Sequence, residues 1–412
     1  MEIESSQSSK QDILSFFKTF PIVPSHNPSY SRPMPSQYKN LSSKFLIPDQ
    51  KNFSTQYCHF YYVRLMTMKP YMTSNLLSMN YNPISILKLP KDELCCVIGV
   101  LYKEMKLKPS ILQRIGGALD NNTFSQITTF DSADDMLYIE DENGKVKIDL
   151  SESNEKMKDL CSGLVVGLSG FYDGKIFKVK EMIFPGMNIL KQQPNLSSIS
   201  DYFKGINNDD KFVALISGLN IDGSQKKMDY HINWLKQLLY GNMNNDQLVK
   251  IISRICRVVI AGNSIKKEGF MADNFSFVGA AKAQELYNKA NTEIKVSITI
   301  LDEFLQELTK NLPVDILSGD NEPNTHFYPY QPMSKLFFER TYQNKHFNAV
   351  TNPYYFDLDG RKILGTSGIN IHDLRKSGFQ EKSDLDLLET TLKWGHLVPT
   401  APETIRYIFI SK

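Results

Sequence analysis

A change of pattern at Pro185-Gly186 constrains this chain more than any other feature. Before that point the apolar segments are short, partly β-branched and separated by tight turns; after it, strand-like runs alternate with helical ones. A closed antiparallel sheet and a helix-flanked parallel sheet bury their apolar faces in different ways, so the switch predicts two domains. The length of 412 residues accommodates them, at about 100–200 residues per domain.

Five strands are predicted upstream. Leu94 to Glu104 (LCCVIGVLYKE) is apolar and partly β-branched. Met136 to Asp141 and Val146 to Leu150 flank Asn143-Gly144, a dipeptide that tolerates the positive φ of a two-residue hairpin turn. Leu164 to Phe171 and Lys175 to Phe184 flank Asp173-Gly174 in the same way. Five antiparallel strands, with a short helix within Ser153 to Leu160 between the third and fourth, predict an OB-type barrel that closes on itself and protects its edges. Ahead of them Tyr57, Phe60, Tyr61, Leu65 and Met68 recur at three- and four-residue steps, the spacing of an amphipathic helix that Pro70 kinks or ends.

Downstream, Lys211 to Ser217, Arg257 to Ala261 and Val314 to Leu317 read as strands, and Met228 to Tyr240 and Ala280 to Leu308 as helices. A hairpin at Asp359-Gly360 joins 354–358 to 362–366, and Leu385 to Trp394 reads as a last helix. The alternation implies a mainly parallel sheet with helices on its faces. The expected organisation is therefore α+β and multidomain: a flexible Ser- and Pro-rich tail at 1–44, a helix with the five-stranded barrel at 45–187, and an α/β domain at 188–412.

Composition narrows the function classes. Lys plus Arg total 47 against 45 acidic residues, a net charge of +2, which argues against a protein built mainly to grip DNA phosphates. Met1 to Ser5 is acidic and polar, and no apolar run approaches the roughly 20 residues of a membrane helix, so a soluble intracellular protein is expected. Cys58, Cys95, Cys96, Cys161 and Cys256 form no CxxC and read as buried reduced thiols. The seven histidines fall in no HExxH or paired Cys/His spacing.

In an open α/β sheet, ligands bind beyond the carboxyl ends of the strands. Those ends are Ser217 to Asn220, Ala261 to Asn263, Ser318 to Glu322 and Gly365 to Gly368. Their arrangement resembles the calcineurin-like metallophosphoesterases, whose turns carry Asp-x-His, Gly-Asp and Gly-Asn-His-Asp/Glu around two metal ions. A two-metal site needs carboxylates and neutral imidazoles, whereas here Gly218, Asn220, Asn263 and Asn321 occupy the corresponding positions. Asp320 and Glu322 alone keep negative charge. The expectation is an inactivated phosphoesterase fold with no catalytic residue, metal or cofactor; the rival is an active metal-dependent phosphoesterase or nuclease.

Six segments then point to a family: Phe53 to Pro70, Cys95 to Leu112, Phe212 to Ile221, Val314 to Pro323, Val350 to Leu374 and His396 to Thr404. In collinear order over 53–404 they resemble the small, B-type regulatory subunits of eukaryotic DNA polymerase delta, more closely than those of polymerases alpha or epsilon. The resemblance implies an OB domain on an inactivated phosphoesterase domain, acting in the nucleus as a scaffold. It implies binding to the catalytic subunit's C-terminal domain and to the winged-helix domain of a third subunit, with DNA met only through the complex. It also implies several tens of residues beyond the TAPET segment, so Ile405 to Lys412 is expected to be a truncated end.

Other candidates remain. Lys10 to Phe17 resembles a sliding-clamp-binding box, with Ile13 as the aliphatic plug, Phe16 and Phe17 as the aromatic pair and Lys10 where glutamine is usual; the alternative is a tail helix docking on its own protein. Ile199 to Phe203 is a similar stretch with a structural reading. Lys103, Lys106, Lys108 and Arg114, beside Tyr102, are either a single-strand-binding edge or solvated loop charge, and the lack of interleaved aromatics favours the latter. Met66 and Met68 read as core, Arg361 and Lys362 as turn charge, and His372 and His396 as structural histidines.

Overall fold

The computed structural model describes residues 32, 37–48, 58–108, 129–186, 210–224, 229–243, 245–266, 280–325 and 327–405. In chain order the strands are β1 (Tyr38–Asn40), β2 (Leu94–Glu104), β3 (Met136–Glu140), β4 (Lys145–Asp149), β5 (Val165–Tyr172), β6 (Ile176–Ile183), β7 (Phe212–Ile216), β8 (Ile255–Ala261), β9 (Val314–Leu317), β10 (Phe347–Val350), β11 (Tyr354–Leu358) and β12 (Arg361–Gly365). The α-helices are α1 (His59–Ser78), α2 (Tyr230–Tyr240), α3 (Asp246–Ile252), α4 (Ala280–Leu308), α5 (Ile369–Lys376) and α6 (Asp384–Lys393). Two compact units result, one from Met1–Leu46 with Tyr202–Ser367 and the other from Ile47–Asp201 with Gly368–Lys412.

The second unit is built on a closed barrel of order β2-β3-β4-β6-β5. Its length lets β2 pair with β5 through Leu94–Val100 and with β3 through Val100–Glu104. One seam departs from the antiparallel expectation: β4 and β6 run parallel. The cause is that β5 crosses to β2, and its hairpin partner β6 returns into the remaining gap. The short helix expected within 153–160 is a single 3-10 turn, Met157–Asp159.

Inside the barrel lie Val97, Leu101, Leu137, Ile139, Val166, Leu168, Phe177 and Val179. On the outer face of β2 and β5, α1 lays Leu65, Met68, Met72 and Leu76 against Cys96, Ile98, Val100 and Val165. Pro70 does not end this helix. Apolar anchors on both sides of it outweigh an interior-proline cost of about 3 kcal/mol. Met66 and Met68 pack as expected, and the thiols of Cys95, Cys96 and Cys161 are buried while Cys58 is exposed. Ile371, Leu374, Phe379, Leu387 and Trp394, from α5, α6 and their flanks, join the barrel core. Residues 368–405 thus pack with the barrel, where the linear boundaries put 188–412 in one domain; the apolar faces of α5 and α6 find their cover there.

The first unit carries a parallel sheet of order β10-β9-β8-β7. One face packs Val258, Ile260, Val314 and Ile316 against Leu301, Phe304, Leu305 and Leu308 of α4. The other packs Val259, Leu317 and Val350 against Tyr354, Phe356 and Leu358 of β11. A second sheet, β1-β11-β12, takes its edge strand from the segment expected to be a flexible tail. That expectation is corrected at residues 32 and 37–46. Arg32 donates to the carbonyls of Leu239 (2.6 Å) and Ile252 (3.1 Å), helix-end acceptors of α2 and α3, and to that of Ile255 (3.2 Å) at the start of β8.

The ring of Tyr38 lies over Arg257, 3.6 Å from guanidinium carbon to ring centroid. Arg257 donates to both oxygens of Asp315 (2.6 and 2.7 Å), and Tyr354 donates to the same carboxylate at 2.7 Å. Burial beside Asp315 pushes the Tyr354 phenol well above its ordinary value. A buried ion pair is stabilised only when its remaining polar atoms are bonded, and here Asn348 completes the set at 2.9 Å.

Candidate functional site

The expected ligand positions do meet at the carboxyl ends of the parallel strands. Gly218 donates to the Gly262 carbonyl (3.1 Å), Asn220 to that of Asn263 (3.1 Å) and Ile221 to that of Ser264 (3.0 Å), so the loops after β7 and β8 continue side by side. Asn220 and Asn263 adopt left-handed conformations, φ 47° and 55°. Asparagine is among the few non-glycine residues that tolerate this region, which gives both amides a backbone reason to be there. Between them Gly262 (φ 76°) meets Gly319 so closely that an added Cβ would lie 2.9 Å from the Gly319 Cα and 2.7 Å from the Ser367 Cβ. Gly262, Gly319 and Ser367 thus meet in close contact that only glycine at position 262 allows.

The remaining charges are committed elsewhere. Glu322 is buried, and its carboxylate accepts from the backbone N–H of Ser264 and, at 2.6 Å, from that of Gly319. It ties the loop after β8 to the loop after β9. Asp320 accepts from the Tyr330 hydroxyl at 3.2 Å, and the Asn321 amide donates to the Ile265 carbonyl at 3.2 Å. Asn352 donates to the Ser318 carbonyl (2.9 Å) and the Ser367 hydroxyl (2.6 Å). Among the described residues, none supplies a hydrogen bond to the buried Asn263 Oδ1, Ser264 Oγ or Asn352 Oδ1. Neutral oxygens are weak ligands for two divalent ions, and a carboxylate held by two amides has little to offer one. Among the described residues, the donors at these strand ends do not fit a two-metal hydrolytic centre. Among the described residues no three His, Cys, Asp or Glu side chains come together as a metal-holding group.

The barrel unit holds a second constellation, and sequence reasoning missed it. Arg64, buried on α1, donates to the carbonyls of Gly163 (2.9 Å), Pro399 (2.9 Å) and Ala401 (2.7 Å) and lies over the Phe60 ring at 4.7 Å. Asp373 of α5 accepts from the hydroxyls of Thr400 and Thr404, the two threonines of the TAPET segment. Burial pushes the Asp373 carboxyl above its ordinary range, against the lowering effect of those two hydroxyls. The His396 ring accepts at Nδ1 from the Val398 N–H (3.2 Å), and burial beside the Arg64 cation holds its pKa well below the ordinary histidine value. Gly163 has φ 88°, and a Cβ there would fall 2.1 Å from the Pro399 oxygen. Three segments that carry the family resemblance therefore meet in one fastener: 53–70, 350–374 and 396–404. One signal was available, since Arg64 stands four residues before Met68, in the register of the apolar face.

Lys103 fits neither of its expected roles. Its side chain is fully buried, donating to Asp131 (2.6 Å) and to the Met157 (3.2 Å) and Ser377 (3.3 Å) carbonyls, with Asp135 at 3.8 Å. It is neither a DNA-facing edge nor solvated loop charge. Lys106 pairs with Asp134 at 3.4 Å, and Lys108 with Glu403. Arg114, the clamp-box residues Lys10, Ile13, Phe16 and Phe17, and the 199–203 stretch lie outside the described residues.

A closed five-stranded barrel and a helix-flanked parallel sheet in separate compact units define a class: two-domain proteins that pair an OB-type barrel with an α/β unit. Residues 56–182 match the family model for the DNA polymerase delta subunit OB-fold domain, and residues 213–412 match that for the B-type subunit of DNA polymerases alpha and epsilon. The chain is 33% identical over 373 residues to the DNA polymerase delta small subunit of Oryza sativa, covering 90% of this chain and 81% of that protein. It is 31% identical to the Arabidopsis thaliana protein of that name, covering 90% and 80%, and 28% identical to the Saccharomyces cerevisiae one, covering 89% and 78%. The chain belongs to the DNA polymerase delta small-subunit family. Among the described residues no helix is long and apolar enough to cross a membrane.

Proposed function

We propose that the chain is a non-catalytic accessory subunit of DNA polymerase delta, acting in the nucleus in DNA replication and repair. Its α/β unit is an inactivated phosphoesterase of calcineurin-like descent, in which Gly218, Asn220, Asn263, Asp320 and Asn321 mark degenerate metal positions. The observation that carries this is the Glu322 carboxylate, the buried acid of the strand-end cluster, which accepts two backbone N–H groups. An acid used to hold loops together leaves the surface for partners. Those partners are the catalytic subunit and a third, winged-helix subunit, with the sliding clamp a further candidate for Lys10, Ile13, Phe16 and Phe17; DNA is reached through the complex.

Co-expression with the polymerase delta catalytic subunit tests the proposal, and a stable co-purified complex is the expected result. Preferential co-purification with an alpha or epsilon catalytic subunit would reassign the chain. Manganese-dependent phosphodiesterase turnover by the purified chain, lost on Asp320→Ala, would establish the hydrolase instead. For the tail motif, a Gln7 to Phe20 peptide titrated with the clamp should lose binding when Phe16 and Phe17 become alanine.

A further inference from the structure

We draw no further inference here: the strongest candidate, the stripe of exposed leucines at 385, 388 and 392 on α6 of the barrel unit, is an apolar helix face, and nothing in the structure shows what covers it.

Discussion

Replacing Arg64 by methionine keeps most of the aliphatic stem and removes the guanidinium. Three carbonyls, of Gly163, Pro399 and Ala401, then lose their donor inside the protein. Hydrogen bonds to a charged group contribute about 1.5–3 kcal/mol each, so the gross loss is roughly 5–9 kcal/mol. Burying a guanidinium also carries a desolvation cost of several kcal/mol, which the variant no longer bears, and about 3–5 kcal/mol of destabilisation remains. At about 2–4 °C per kcal/mol for a unit of 150–250 residues, the melting temperature of the barrel unit falls by at least about 6 °C. Urea unfolding followed by amide exchange resolves the effect by region, with faster exchange at 397–404 as its signature. Arg64→Lys should lose less, because one ammonium can still reach part of the carbonyl set. A loss below about 1 kcal/mol, or unchanged exchange at 397–404, would refute the idea that this side chain fastens the C-terminal segment to the barrel.

Glu322→Gln should destabilise the α/β unit by about 1–3 kcal/mol, since the amide presents an N–H where Ser264 or Gly319 also donates; calorimetry checks this, and a variant as stable as the parent contradicts the assigned role. Lys103→Met leaves the buried Asp135 and the half-buried Asp131 without their cation and should cost about 3–5 kcal/mol, while single-strand DNA binding in a mobility-shift assay stays as it was. The pH dependence has two opposed contributions. His396 is held neutral in the folded state, so below its unfolded pKa of about 6.5 the unfolded chain binds the extra proton and stability falls as pH drops, by up to about 1.4 kcal/mol per pH unit. Asp373, raised by burial, acts in the other direction: between its raised folded value and about 3.9 the folded state binds the proton and stability is gained as pH falls. Urea midpoints between pH 7 and 5 should fall in the parent, and less steeply in His396→Gln.

The strands were legible where turn chemistry and apolar runs coincide. Asn143-Gly144 and Asp173-Gly174 bracket β3 to β6 closely, and the run at 314–317 is β9 to the residue. The parallel seam between β4 and β6 was not legible, because strand order depends on which edges remain open after β5 pairs with β2. Nor was β1: three residues in a Ser- and Pro-rich stretch carry no period, and Tyr38 is ordered by Arg257 and Tyr354, both distant in sequence. At the strand ends, the residue types that departed from a metal-binding pattern could be read directly. Their present use could not. Glu322 read only as a retained negative charge, because its partners are backbone N–H groups, which leave no mark in a sequence.

Charge is used in the same way in both units. Glu322 and Arg64 direct theirs at backbone groups, and Asp373 at two hydroxyls; Asp315 and Arg257 direct theirs at each other and at neighbouring rings and amides. The proposed non-catalytic reading accounts for this, since a hydrolase would need its carboxylates available to a metal or a proton in transit. An accessory subunit that holds surfaces at fixed positions would not need them. The net charge of +2 fits that task. With charge nearly balanced and its buried members bonded internally, recognition falls to exposed side chains outside these clusters. Partner choice would then depend on a few exposed side chains whose exchange leaves the fold intact, whereas the residues that look most like a site are the ones the fold cannot lose.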